Sequence, residues 1–314
     1  MIMEYTEKQR ATLEKLEEFI KTKPSQKEAC RIIGISDGVI SPLRKGIYSG
    51  DIDKIFSKLD DYFDIKEKNS QLPVNISTEY VETSVSSEIY DIISLCQVKG
   101  GLAIACGDAG IGKTKAVIKF RKDHPNSCIA VTMNTCSTSV KSLLRLIAAQ
   151  TGSSYARSND EMLFSIINKL SDGMVLIVDE AQFLTLSQIE ALRSISDYFG
   201  DRDSTLGVAL IGNPEIVSKM GSRRNEYSQI INRCEITKIY RTGSILRTDI
   251  QKLFPAISEN EREIDFLWKI SKTIQGIRGV VKLYNTARQN ENCTFEGLVA
   301  VAEQHMNIRT GEKI

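Results

Sequence analysis

The stretch "GDAGIGKT", residues 107–114, lies between the apolar run "LAIAC" (102–106) and the charged-apolar run "KAVIKFRKD" (115–123). Gly107, Gly112, Lys113 and Thr114 fit G-x-x-x-x-G-K-[ST], a loop whose backbone N–H groups wrap phosphates while the lysine reaches the outer ones and the hydroxyl takes Mg²⁺. A short continuous apolar run reads as a strand buried on both faces, and Ala116, Val117 and Phe120 give the segment after the loop helical spacing. The candidate nucleotide-binding residues are therefore Gly107, Asp108, Ala109, Gly110, Ile111, Gly112, Lys113, Thr114 and Lys115. ATP and Mg²⁺ are the implied ligands, with Thr114 as one metal ligand.

Further along, "MVLIVDEAQ" (174–182) ends an apolar run in Asp179 and Glu180. Two carboxylates then emerge at the C-terminal edge of a buried strand, where open parallel sheets bind ligands. Asp179 is placed to hold Mg²⁺, and Glu180 to polarise the water that attacks the γ-phosphate. The run "LGVALIGNPE" ends its strand at Asn213, whose amide can orient that water; an asparagine there also makes an ordinary helix cap. "SRRNEYSQIINRC" supplies Arg223, Arg224 and Arg233. An arginine stabilises the charge-spreading transition state of phosphoryl transfer and can come from a neighbouring subunit. Arg233, just before the final strand, is the candidate, with Arg223 and Arg224 as a basic pair for the same role or for DNA. Arg278, in "GIRGVVKLYNTA", opens a helix from which it could reach the phosphates within the same chain.

The chain has 314 residues, 41% of them hydrophobic, and a net charge of +1. No global field draws it to nucleic acid or to an anionic membrane, so any DNA contact must come from a local patch. Seven cysteines without a C-x-x-C spacing and only two histidines argue against a zinc site or a disulfide framework and for a reducing cytoplasm. No apolar run reaches membrane-spanning length.

Residues 6–22 read as a helix with Leu13, Leu16, Phe19 and Ile20 on one face. Ser25 and Glu28 make a capping box after Pro24, opening a helix that would bury Ala29, Ile32 and Ile33. Gly34 ends it, and Ser36 caps a third helix with Val39, Ile40 and Leu43 inward and Ser41, Arg44 and Lys45 outward. Helix, short glycine-containing turn, helix is the helix-turn-helix plan, with Arg44 and Lys45 as its DNA candidates. Pro42 inside the recognition helix and a balanced local charge keep a second reading open beside this DNA-binding one, a helical protein-interaction module. A fourth helix, 51–62, would close this domain, 1–63. Residues 64–76 read as a polar linker. Strands are expected at 102–106, 128–133, 174–178, 206–211 and 235–240, alternating with helices, which implies a parallel sheet covered on both faces. Beyond Ser244 only helices are expected, near 246–253, 260–273, 278–289 and 295–307. The expected division is thus an α/β domain at 77–242 and a small helical lid at 243–314.

With the loop, the Asp-Glu strand, the strand-end Asn213, the late Arg233 and the lid Arg278 in that order, residues 77–307 resemble an AAA+ ATPase. The resemblance implies a P-loop sheet of order 5-1-4-3-2 and assembly into rings or spirals. "NRC" is similar to the serine-arginine-cysteine box of clamp loaders, in which the arginine acts in trans, with asparagine here in place of serine. The order of a small helix-turn-helix domain, a linker, "YVETSVSSEIYDII" and a compact AAA+ module looks like the transposition protein B family of phage Mu. That resemblance implies Mg²⁺-dependent ATP hydrolysis, ATP-dependent non-specific binding of double-stranded DNA, polymerisation along it, and delivery of the target to a transposase that stimulates hydrolysis. Lys113, Thr114, Asp179, Glu180 and Asn213 match its nucleotide site, and the region from Tyr80 to Thr83 would flank the adenine. Its DNA-contacting loops do not align position by position; Lys141, Arg145 and Arg157 are the nominees.

Two other classes stay open on the sequence: a nucleotide-gated helix-turn-helix transcriptional regulator and a clamp-loader or origin-type replication ATPase. A small-molecule kinase would use the loop but has no need of the strand-end asparagine or a trans-acting arginine.

Overall fold

Successive side chains of a strand point to opposite faces, so a strand covered on both sides must be apolar at every position. The computed structural model describes residues 5–23, 25–71, 80–217 and 234–306, and in it five strands pair into one parallel sheet of order β2-β3-β4-β1-β5, the three central ones being such runs while the edge strand β5 carries Glu235, Thr237 and Lys238. The strands are β1 (Gly101–Gly107), β2 (Cys128–Thr132), β3 (Met174–Asp179), β4 (Leu206–Gly212) and β5 (Cys234–Tyr240). Ala103, Ala105, Val175, Ile177, Ala209 and Ile211 enter one apolar cluster, while Leu102, Ile104, Leu176, Val178, Val208 and Leu210 enter another. Alternate residues of the same three strands thus build two cores, one on each face.

The chain divides into two compact units, Met1–Asn75 and Ile76–Ile314. In the first, α1 (Glu7–Lys21), α2 (Gln26–Ile33), α3 (Asp37–Arg44) and α4 (Ile52–Gln71) pack around Leu16, Phe19, Ile40, Leu43 and Leu59. The Ser25 hydroxyl accepts from the Glu28 N–H at 3.2 Å, and Gly34, Ile35 and Ser36 form the expected short turn between α2 and α3. Three details differ from the sequence reading. Ile32 is exposed and Cys30 is buried in its place, because the inward face of α2 runs through Ala29 and Cys30. Ser36 stands at the N-cap of α3 without a side-chain cap bond. α4 continues through Gln71, so most of the stretch read as a linker is helix: Asp64, Ile65, Lys66 and Glu67 are acceptable helix formers, and no glycine or proline interrupts them. Pro42 lies in the last turn of the eight-residue α3, where fully buried Ile40 and Leu43 hold the helix against the lost hydrogen bond.

In the second unit α5 (Ser84–Lys99) and α6 (Lys113–Asp123) cover one face of the sheet, and α7 (Val140–Thr151), α8 (Asn159–Ile167) and α9 (Leu186–Gly200) the other. Four further helices follow β5: α10 (Arg247–Leu253), α11 (Glu261–Ser271), α12 (Gly276–Gln289) and α13 (Phe295–Met306). Their core residues, among them Phe254, Leu267, Val280 and Leu298, belong to the same cluster as α5 and β1. The lid is therefore continuous with the sheet's core.

A buried carboxylate fastens the two together. Asp249, 1% exposed, accepts from the Ser84 N–H at 2.7 Å, the Ser84 hydroxyl at 2.6 Å and the Leu246 N–H at 2.9 Å. It thereby ties the first turn of α10 to the first turn of α5. Hydrogen bonds to a charged group contribute about 1.5–3 kcal/mol each, and donors left unsatisfied by truncation add to the loss. Asp249→Ala is expected to cost about 3 kcal/mol, read as a lower midpoint of denaturant unfolding at an unchanged slope.

Candidate nucleotide site

The loop of residues 107–112 leaves the C-terminal end of β1, the strand between β4 and β5. Gly112 has φ 104°, a conformation that L side chains rarely adopt, and it starts α6 as a glycine N-cap with no side-chain cap bond and no acidic residue in the first turn. The first N–H groups of a helix have no partners within it and carry the positive end of its dipole. An uncapped, acid-free N-terminus opening onto a cavity is suited to a phosphate.

That cavity measures about 620 Å³, within the range of sites that hold a drug-sized molecule. Ala109, Gly110, Gly112, Lys113, Thr114 and Lys115 line it from the loop and α6, Glu180 and Asn213 from the ends of β3 and β4, and Arg278 from α12. Its lining also includes the apolar side chains of Val81, Leu253, Ile277 and Val281, which suit the flat face of a base. The phosphate loop and the lid touch directly: the Arg278 N–H donates to the Gly110 carbonyl at 3.1 Å. Gly276, at φ 58°, lies so close that a Cβ there would come 2.8 Å from the Ala109 carbonyl oxygen.

Charge is concentrated under the loop. The Lys113 ammonium donates to the Gly107 and Asp108 carbonyls at 2.7 and 2.8 Å. Burial pushes its pKa down, Glu180 and Asp179 oppose that shift, and Arg278 adds to it. Asp179, 4% exposed, is pushed above the usual carboxylate range by burial, against the opposing bonds from the Glu180 N–H at 2.9 Å and the Thr114 hydroxyl. Glu180 has left-handed backbone angles, φ 55° and ψ 38°. A non-glycine residue there stores about 1–3 kcal/mol of strain, which persists only where the surroundings impose it.

Residues 97–220 match the AAA domain family. Over 268 residues the chain is 28% identical to the Mu-like prophage FluMu DNA transposition protein B of Haemophilus influenzae, covering 83% of this chain and 90% of that protein. It is 25% identical over 250 residues to the ATP-dependent target DNA activator B of Escherichia phage Mu, covering 78% of this chain and 77% of the relative. The chain is a homologue of the phage Mu transposition B proteins and carries an AAA domain. Among solved structures, the ORC2 protein of Aeropyrum pernix in its ADP form superposes with a TM-score of 0.55 at 13% identity, over 73% of this chain and 71% of that one. CDC6P from Pyrobaculum aerophilum gives 0.53 at 15% identity, over 73% and 70%. These two likenesses concern the fold.

The structure brings Lys113, Thr114, Asp179, Glu180 and Asn213, all within the matched AAA segment, together with Arg278 from beyond it, around one cavity or directly beneath it. Val81 and Thr83, in the segment expected beside the adenine, line it as well. Two loop residues direct their side chains elsewhere: Ile111 is fully buried, and Asp108 accepts from the Arg241 guanidinium at 3.1 Å and the Thr242 N–H at 2.8 Å. Arg223, Arg224 and Arg233 lie outside the described residues. Of the DNA nominees, Lys141 donates to the Arg157 main-chain carbonyl at 2.7 Å, which brings the two residues together, and Arg145 is exposed one turn further along α7. Arg44 does not stand free: it grips Glu17 with two nitrogens and Gln26 with a third, while Lys45 is exposed. The sequence reading missed Asp249, which carries no motif, and Gln182, although it stands in the same "DEAQ" as the two acids. Among the described residues no helix is long and apolar enough to cross a membrane, no cluster of metal-ligating side chains is found, and no disulfide joins any of the cysteines.

A carboxyl whose pKa is raised by folding favours the folded state when protonated, and this contribution is lost as pH rises through the raised value. Asp179→Asn is therefore expected to raise the melting temperature of the ligand-free protein at neutral pH, by about 2–4 °C for each kcal/mol relieved. The gain should disappear as pH falls below the ordinary carboxylate range. Thermal melts of both proteins across that range check the sign.

Proposed function

We propose that this protein is an ATP-dependent DNA-binding ATPase that assembles on double-stranded DNA, selects it as a transposition target and presents it to a transposase. The observation that carries the reading is the convergence of the phosphate loop, the ends of β3 and β4 and the lid arginine on one cavity, in a chain whose relatives are named for DNA transposition and target DNA activation. In this reading the loop N–H groups and Lys113 hold the phosphates, and Thr114 and Asp179 hold Mg²⁺. That ion would supply positive charge to the phosphates during transfer. Glu180 takes the proton of the attacking water, Asn213 orients that water, and Arg278 reaches the phosphates from the lid. Arg233 serves the site of the neighbouring subunit, which requires a head-to-tail interface and hence a ring or filament. The proposed domain division is a helical N-terminal domain, the nucleotide-binding domain up to 242 and the lid from 243, with the linker starting after α4.

DNA contact in this reading rests on Lys141, Arg145 and Arg157, repeated along an assembly, together with Arg223 and Arg224. Lys45 and Arg44 are secondary, since Arg44 is engaged by Glu17. The helix-turn-helix plan of α2 and α3 supports the competing reading, a nucleotide-gated transcriptional regulator. Nuclease protection on unrelated duplexes with a slowly hydrolysed ATP analogue separates the two. A target selector coats every duplex, and deleting residues 1–63 weakens but does not abolish coating. A single protected site that vanishes with that deletion would sink the target-selector reading.

Lys113→Ala should abolish both ATP binding and ATP-dependent DNA binding, whereas Glu180→Gln should keep ATP bound and slow dissociation from DNA. Dissociation of Glu180→Gln as fast as wild type would remove Glu180 from the role of base. Log affinity for DNA should fall with log salt at a slope of about −0.9 per phosphate neutralised. Mixing Arg233→Ala with Glu180→Gln should restore activity that neither has alone, and a mixture as inactive as its components would argue against a trans-acting arginine.

A further inference from the structure

Gln182 is 4% exposed, yet its side chain ends in an amide, and buried polar groups require partners. Its Oε1 accepts from the Asn213 N–H at 3.0 Å, and its Nε2 donates to Glu180 Oε2 at 2.5 Å. The orientation of the amide follows from the chemistry of its neighbours. A main-chain N–H only donates, so the oxygen must face Asn213, which leaves the NH₂ for the carboxylate. β4 makes room for this bridge at Gly212, where a Cβ would come 2.7 Å from Gln182 Oε1. The residue gripped is the one with left-handed backbone angles, and the short 3-10 turn Ala181–Phe183 that follows it carries Gln182 back towards β4.

We infer that Gln182 is a positioning residue for hydrolysis, holding the Glu180 carboxylate in fixed register with the strand end that carries Asn213. This rests on the ATPase reading above. Glu180 and Asn213 belong to neighbouring strands and have no direct bond in the structure, yet both must meet one water molecule beside the terminal phosphate. The Gln182 amide bridges them through two hydrogen bonds: its oxygen is set by the Asn213 N–H, and its NH₂ sets the carboxylate. Without it Glu180 keeps its charge and its place in the sequence but loses its orientation, and a misplacement of about 1 Å is enough to lower a rate about 10²-fold. Gln182 does not line the cavity and touches no phosphate position, so nucleotide affinity is independent of it.

The test uses the full chain with DNA, measuring kcat and KM for ATP, affinity for a slowly hydrolysed ATP analogue, and thermal stability. Gln182→Glu keeps the shape and the acceptor facing Asn213 but replaces the donor to Glu180 with a second carboxylate; Gln182→Leu removes both ends. Each is expected to lower kcat about 10²-fold with analogue affinity changed by no more than about twofold. The two should then differ in pH profile. A carboxyl forced against a like charge takes up a proton more readily and regains an O–H donor, so Gln182→Glu recovers activity relative to wild type as pH is lowered and Gln182→Leu does not. Wild-type kcat in both variants overturns the inference, as does a loss of analogue affinity in proportion to kcat, or pH profiles that match between the two variants. A wild-type chain that turns over no ATP overturns the ATPase reading and the inference with it, whereas turnover in wild type with unaffected variants overturns the inference alone.

Discussion

The bond between the Arg278 N–H and the Gly110 carbonyl, 3.1 Å long, joins two backbones that are far apart in sequence, and the site depends on their closeness. The phosphate loop supplies the donors, and the lid supplies the wall that turns an exposed loop into a cavity. Gly276 permits the approach because any side chain there would meet the Ala109 carbonyl. Two other attachments support it. Asp108 ties the start of the loop to Arg241 and Thr242 after β5, and Asp249 ties α10 to the start of α5. A displacement of the lid therefore strains the loop at its tip and its base, and the segment beside the apolar part of the cavity's lining as well.

The parallel sheet accounts for the chemistry at the cavity's other side. Because all five strands run in one direction, the ends of β1, β3 and β4 come out at one edge and place the loop, Asp179 with Glu180, and Asn213 next to one another. The apolar runs that make the strands also make the surroundings dry, which is why Asp179 is pushed up and Lys113 pushed down. The fold thus holds charged groups where they cost stability in the empty protein. Functional sites characteristically carry such costs, together with strained backbone of the kind found at Glu180.

The N-terminal unit follows different rules. Its two central helices, α2 and α3, have eight residues each, and among the described residues its core rests on ten buried hydrophobic side chains, small enough that the paired Arg44 and Glu17 are part of how α3 meets α1. An exposed ion pair contributes little stability, but here it occupies the guanidinium on the outward side of α3. In the nucleotide-binding unit the Lys141 ammonium donates to the Arg157 main-chain carbonyl, a bond that does not use the guanidinium of the exposed Arg157. This contrast is what moves the proposed DNA contacts from the first unit to the second.

The sequence by itself determined the five strands to within a residue or two and the four lid helices, because a strand buried on both faces and an amphipathic helix each write their period into the side chains. It also determined the phosphate loop, the two acids and Asn213, since each sits at a strand end that the apolar run announces. It ended the fourth helix too early, because residues 64–71, "DIKEKNSQ", hold a single apolar residue and so carry no apolar period to mark them. What only the tertiary structure decided are the contacts between residues distant in sequence: Asp249 on Ser84, Arg44 on Glu17, Arg278 on Gly110 and Gln182 between Glu180 and Asn213. A hydrogen bond depends on where two groups arrive in space, and no local period records that arrival.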